Sequence, residues 1–160
     1  MVEVKDNFLD KDTLVKIQKL VLADFFPYYY NDYKVEKRDQ NFQFTHILFK
    51  SYYNQSNYFP NFVPILDQLK CKSLVRMKLN LTPRVEHITP FNYHVDIQDN
   101  LDCKTAVFYL NTTNGMTLFK TGETIKGIEN RIVIFNSGLK HAGTSHTDKK
   151  VRLVLNINYY

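Results

Sequence analysis

The stretch Tyr93-His94-Val95-Asp96 places an imidazole and a carboxylate two residues apart. In an extended strand, residues i and i+2 point to the same face. His94 and Asp96 can therefore approach one metal ion together while Val95 packs on the opposite side. A third ligand candidate, His141, lies far downstream. Two imidazoles and one carboxylate gathered on one face of a metal leave its remaining positions open to other ligands.

The His-x-Asp spacing is weak evidence by itself, because a chain of this composition yields roughly a third of such a match by chance. A second copy, His146-Thr147-Asp148, is in fact present. Chain order separates the two. No histidine follows Asp148, whereas His94 and Asp96 have both His141 and His146 downstream. His146 sits between Ser145 and Thr147 and reads as a polar loop residue, which leaves His141 as the third ligand.

At 160 residues the chain has the length of one domain and room for a substantial core. Aromatic residues make up 14%, with 12 Phe, 11 Tyr and no Trp, so many rings must fill the core or line a pocket. The net charge of +5 permits an acidic or nucleic-acid partner without requiring one. Basic pairs such as Lys37-Arg38 and Lys149-Lys150 never extend into a basic arm. Cys71 and Cys103 show no spacing typical of a disulfide framework. The N-terminus lacks a secretory apolar core, and no run of 18 apolar residues offers a membrane span. These features indicate a soluble cytoplasmic protein with reduced thiols.

Along the chain, residues 10–23 read as a helix capped by Asp10 or Asp12, with Leu14, Ile17, Val21 and Leu22 on one stripe. An irregular polar stretch follows Pro27 and runs to Gln40. Residues 41–49 read as a strand with Phe42, Phe44, Leu48 and an ordinary half-buried His46 on one face. A loop at 52–58 leads to a second helix over 60–69, with Phe62, Ile65, Leu66 and Leu69 aligned. From Ser73 onward the pattern predicts strands near 74–82, 91–97, 104–111, 116–119, 123–126, 131–136, 139–144 and 151–159. Asn114-Gly115, Thr121-Gly122, Asn130 and Ser137-Gly138 supply turns between them. The expectation is a mainly β protein, a jelly roll flanked by helices, with 1–160 as a single domain. Residues 1–73 would support a core formed by 74–160.

From Leu74 to Tyr160 the sequence resembles the 2-oxoglutarate- and Fe(II)-dependent oxygenases, most closely their prolyl-4-hydroxylase-like branch. The resemblance rests on motifs in order: His94-Val95-Asp96, Tyr109-Leu110-Asn111, Asn114-Gly115-Met116-Thr117-Leu118-Phe119, Asn130-Arg131-Ile132-Val133-Ile134-Phe135, then His141 and Arg152 eleven positions later. Asn114 departs from the Gly-Gly that commonly opens the third motif. The resemblance implies a double-stranded β-helix (cupin-like) core, with His94, Asp96 and His141 on Fe(II) and 2-oxoglutarate as co-substrate. It also implies oxidation of an unactivated C–H bond by dioxygen, with release of succinate and CO2 and with ascorbate as a possible reductant. A peptidyl residue such as proline is the substrate this branch suggests. A nucleobase demethylase, a non-catalytic cupin-like binding protein and a jelly-roll hydrolase or isomerase using another metal are the alternatives.

The co-substrate's distal carboxylate needs a fixed cation, and Arg152 suits it because a planar guanidinium matches a carboxylate bidentately. On 151–159, Arg152, Val154, Asn156 and Asn158 share one face, and Leu153, Leu155 and Ile157 the other. Arg131, the competing arginine, opens an apolar strand and reads as a rim residue. The resemblance places the Tyr109 hydroxyl on the same carboxylate, and Asn80, alternating with Thr82, near the co-substrate where relatives use Asn or Tyr. Asn156 shares the inward face with Arg152. His87 reads as a loop residue, and substrate contacts are expected from loops 28–40, 83–92 and 99–104.

Overall fold

A computed structural model describes residues 1–37, 41–98 and 102–160. The parts of the expected substrate loops at 38–40 and 99–101 lie outside the described residues. Asp10 starts helix α1 (Lys11–Val21) by accepting a hydrogen bond from the Thr13 amide at 2.9 Å. Leu14, Ile17 and Val21 bury its apolar stripe. A 3-10 turn (Phe59–Phe62) leads into α2 (Val63–Leu69), which places Phe62 and Ile65 at 0% exposure.

Among the described residues eleven strands accompany these helices: β1 (Glu3–Lys5), β2 (Tyr29–Asn31), β3 (Gln43–Lys50), β4 (Tyr53–Asn54), β5 (Leu74–Pro83), β6 (Lys104–Tyr109), β7 (Met116–Phe119), β8 (Thr124–Lys126), β9 (Arg131–Asn136), β10 (His141–Gly143) and β11 (Val151–Tyr159). The larger sheet has the order β1-β9-β6-β11-β5-β3-β2, with β4 on β3, and the smaller has the order β10-β7-β8. All the pairings are antiparallel. This is the jelly roll that the sequence pattern predicts, with both helices on the outer face of the larger sheet.

Strand parity decides where everything else goes. Leu153, Leu155 and Ile157 of β11 join Met77 and Leu79 of β5 and Ala106 and Phe108 of β6 in the core under the helices. A second, smaller core of Val107, Tyr109, Phe119, Val133, Phe135 and Val154 fills one part of the space between the sheets. The other part of that space is lined by polar side chains.

Three differences from the sequence expectation have physical causes. Residues 91–97 form no regular strand. Their amides bond at uneven intervals, Phe91 to Gly143 O, His94 to His141 O and Asp96 to Ser137 O, which leaves only bridges against β10. Strand β1 pairs with the distant β9, and nothing local in Glu3-Val4-Lys5 announces that partner. Strand β2 forms inside the stretch read as irregular, as an edge on β3. In β3 a register shift between Ile47 and Phe49 lets both Leu48 and Phe49 meet the helix-side core.

Removing the Phe62 ring should leave a cavity beneath α2 with no polar group to fill it. Phe62→Ala is therefore expected to lower unfolding free energy by about 3–5 kcal/mol, measured by urea denaturation. A loss under 1 kcal/mol would show that α2 does not brace the sheet.

Candidate active site

His94 and Asp96 come from the irregular 91–97 segment, and His141 opens β10. The segment is tied to β10 by reciprocal backbone bonds between His94 and His141, 2.9 and 3.0 Å long. One ligand atom from each of the three residues falls within 4.8 Å of the others. His94 Nε2 lies 3.8 Å from Asp96 Oδ1. The His141 Nδ1–H donates to Leu139 O at 3.0 Å, which leaves Nε2 for a metal. The Phe135 ring packs edge-on against His141 at 4.7 Å. Burial holds the His141 imidazole below its ordinary pKa, so the neutral, metal-binding form dominates.

Asp96 is almost wholly buried, and protein donors fix its carboxylate. Oδ1 accepts from Arg76 Nη2 at 3.0 Å; Oδ2 accepts from Thr105 Oγ1 and Asn158 Nδ2, each at 3.0 Å. Arg76 Nε also donates to Asn158 Oδ1 at 2.9 Å, and Thr105 reaches Ser137. Burial alone would raise the Asp96 pKa, but the Arg76 charge, the histidines and the Asn158 bond outweigh it and hold the carboxyl below its usual range.

The triad opens onto a cavity of about 260 Å³ between the sheets. Its floor is the inward face of β5 and β11: Arg76, Lys78, Asn80 and Thr82 beside Arg152, Val154 and Asn156. Arg152 has 7% exposure and makes no hydrogen bond or ion pair with any described residue; its Nε is buried without a partner. Asn80 Oδ1 is orphaned in the same way. Gly115 makes room for the guanidinium, because a Cβ there would stand 2.9 Å from Arg152 Cδ and Nε.

Other sequence candidates fall elsewhere. The Tyr109 ring lies 5.6 Å from the Arg152 guanidinium carbon, while its hydroxyl bonds Thr117 Oγ1 at 2.6 Å. Arg131 forms a two-pronged pair with Asp6, at 2.6 and 2.9 Å, and does not line the cavity. His146 is a buried residue rather than a solvated one, bonded to Lys149 O at 3.1 Å and outside the triad. His46 bonds Pro27 O and Ser56 Oγ, as a structural histidine does. His87 is exposed.

Arg76, Lys78 and Asn158 were not singled out from the sequence. Their signal was parity: polar residues at 76, 78, 80 and 82 alternate with Met77, Leu79 and Leu81. Burial, followed by the Arg76 charge, brings the Lys78 ammonium down to about 8.

No protein-family model matches this sequence, and no curated protein matches it. Solved structures do. A prolyl-4-hydroxylase from Pseudomonas putida superposes with a TM-score of 0.65 at 15% identity, covering 99% of this chain and 91% of that one. A prolyl hydroxylase from Trichoplax adhaerens, solved with a hypoxia inducible factor oxygen degradation domain peptide fragment, gives 0.68 at 12%, covering 99% and 83%. The chain has the fold of the 2-oxoglutarate/Fe(II) oxygenases. An oxidoreductase of the 2OG-Fe(II) oxygenase family from Burkholderia pseudomallei gives 0.70 at 10%, covering 99% and 84%. The likeness is one of fold, and the residues in the cavity carry the chemistry.

Two outcomes test the site. His141→Ala should abolish most Fe(II) binding, measured by anaerobic titration, and His146→Ala should leave it intact; the reverse pattern would replace the third ligand. Lys78 provides the second. Its folded pKa of about 8 lies below the unfolded value of 10.5, so the unfolded chain holds more protons between those values. Stability of the metal-free protein therefore rises with pH across that window, and the penalty is complete below it. Lys78→Met should gain on the order of 3 kcal/mol at pH 7, shrinking towards zero near pH 10.5 in urea melts. No gain at pH 7 would contradict this.

Proposed function

We propose that the protein is a 2-oxoglutarate- and Fe(II)-dependent dioxygenase that hydroxylates an unactivated C–H bond of a peptidyl residue, proline being the residue its resemblance indicates. The observation that carries the reading is Arg152. A guanidinium buried without an anion is strongly unfavourable, and this one shares a cavity with two imidazoles and a carboxylate set for one metal.

The donor set fits the cofactor. Two histidines and one carboxylate suit Fe(II) with open positions, and His94, Asp96 and His141 would hold it. When bound, the iron and 2-oxoglutarate supply the oxidising chemistry, with dioxygen as oxidant, succinate and CO2 as co-products and ascorbate as a reductant that maintains Fe(II). This chain's own side chains bind and orient. Arg152 would receive the distal carboxylate of 2-oxoglutarate, with its guanidinium fixed between Gly115 and the Tyr109 ring. The orphaned Asn80 carboxamide and Asn156 line the cavity beside it. Tyr109 reaches the same end through its bond to Thr117, a cavity residue. Val107, Val154 and Phe91 supply the apolar wall that excludes water, joined by Val95, which lines the same cavity rather than the opposite side because 91–97 is not a regular strand. No general base is required.

The peptide assignment draws on the Trichoplax neighbour, which was solved with a peptide fragment. The loop at 83–92 and the segment at 28–37 flank the cavity through Phe91, Lys34 and Val35 and are the surfaces on which a peptide would rest.

A buried charge-assisted fork to a carboxylate contributes about 1.5–3 kcal/mol. Arg152→Ala should thus weaken 2-oxoglutarate binding roughly ten- to a hundred-fold, followed by the charge-transfer absorbance of the anaerobic Fe(II) protein. Arg152→Lys should lose less, since a point charge survives, and iron affinity should hold in both. Unchanged 2-oxoglutarate affinity in Arg152→Ala would refute the assignment.

A further inference from the structure

The cavity holds more positive charge than a metal and a co-substrate account for. Its lining includes Lys34, Arg76, Lys78 and Arg152, while Asp96 is the sole acidic residue among the described lining residues. Three of the four cations are committed. Arg76 pairs with Asp96 at 3.0 Å. Lys34 sits 3.3 Å from the Phe91 ring centroid and 3.5 Å from Thr82 Oγ1. Arg152 faces the distal carboxylate in the oxygenase reading. With a divalent metal the four cationic side chains would bring six positive charges, against one on Asp96 and two on a dianionic co-substrate, so positive charge is left over. Lys78 remains, facing inward opposite Asn156 with no hydrogen bond or ion pair among the described residues.

We propose that Lys78 binds a carboxylate of the primary substrate, so that the peptide accepted by the site is acidic at or directly beside the reacting residue. The inference rests on the oxygenase reading and names its substrate class. A half-buried, unpaired ammonium is unfavourable, and a carboxylate arriving with the substrate relieves that penalty. A carboxylate is the anion that a peptide side chain carries, and Lys78 offers it a single point charge. The cavity of about 260 Å³ lies just under the ~300–1,000 Å³ usual for ligand pockets. Because Lys78 lines the same cavity as the triad, the carboxylate it meets belongs to the reacting residue or its neighbour. Lys78 thus sets specificity, and its inward position on β5 reflects this role.

The test compares capped tripeptides, acetyl-Asp-Pro-Gly-amide and its Asn isostere, with the Glu and Gln pair alongside. Each is titrated into the anaerobic Fe(II)·2-oxoglutarate protein and followed by the shift of the visible absorbance. The acidic peptides should bind at least about tenfold more tightly. Lys78→Met should bring that ratio close to one, and Lys78→Glu should turn the preference towards acetyl-Lys-Pro-Gly-amide. Equal or undetectable binding of the acidic and amide peptides overturns the proposal, as does an undiminished preference in Lys78→Met. So does tighter binding of an oligonucleotide probe than of any peptide. A loss of 2-oxoglutarate affinity in Lys78→Met with peptide preference unchanged would assign the lysine to the co-substrate instead. Failure of the wild-type protein to bind 2-oxoglutarate overturns the oxygenase reading and this one with it, whereas the other outcomes leave that reading standing.

Discussion

Strand β11 is buried on both faces at once, and that constraint organises the molecule. Its odd-numbered residues, Leu153, Leu155 and Ile157, sit at the centre of the core under the helices. Its even-numbered residues, Arg152, Val154, Asn156 and Asn158, face the space between the sheets. A one-residue slip would drive Arg152 into the apolar core and Leu153 into the cavity, so register is strongly specified. Pairing with β5 on one side and β6 on the other passes this parity outward. The same alternation therefore sets the stability of the fold and the composition of the site.

The candidate metal centre depends on a network around Asp96 that the protein completes by itself. Arg76, Asn158 and Thr105 come from β5, β11 and β6, and together they fix a carboxylate carried on an irregular segment. Three adjacent strands thereby hold in place a residue that no regular strand holds. The ligand is oriented by bonds outside any metal's own coordination, the arrangement that tunes metal affinity in such sites. Arg152 and Lys78 show the opposite economy: one buried and one half-buried, both are cations that form no ion pair among the described residues, which lowers stability unless a ligand brings the charge. In the proposed reading function and stability are opposed at these two positions, and a protein with no anionic ligand would gain by losing them.

Much of this was legible in the sequence because strand parity is a local property. The alternation of 151–159 gave both faces of β11, and His94-Val95-Asp96 with His141 gave the triad that the structure gathers. Asn114-Gly115 marked the turn whose glycine turns out to admit the Arg152 side chain. What stayed hidden depends on distant partners. Nothing in Glu3-Val4-Lys5 shows that it pairs with Ile132–Ile134. Residues 91–97 carry a strand-like pattern, yet their backbone bonds are set by the spacing of acceptors on another segment. Arg76 carries no local signal of its partner, because its value lies in a carboxylate twenty positions away. His146 reads as a polar loop residue and is buried, its carbonyl accepting from the distant Val85 amide.

The account's central claim is that one cavity gathers a three-residue metal site and an anion anchor for a 2-oxo acid. The most direct measurement is conversion of carbon-labelled 2-oxoglutarate to succinate and CO2 by the purified protein in air, with Fe(II) and ascorbate and no added substrate. The account predicts slow, iron-dependent turnover giving succinate and CO2 in equal amounts, and its loss in Asp96→Ala. An iron-loaded wild-type protein that forms no succinate, or an Asp96→Ala protein that forms as much, would contradict it.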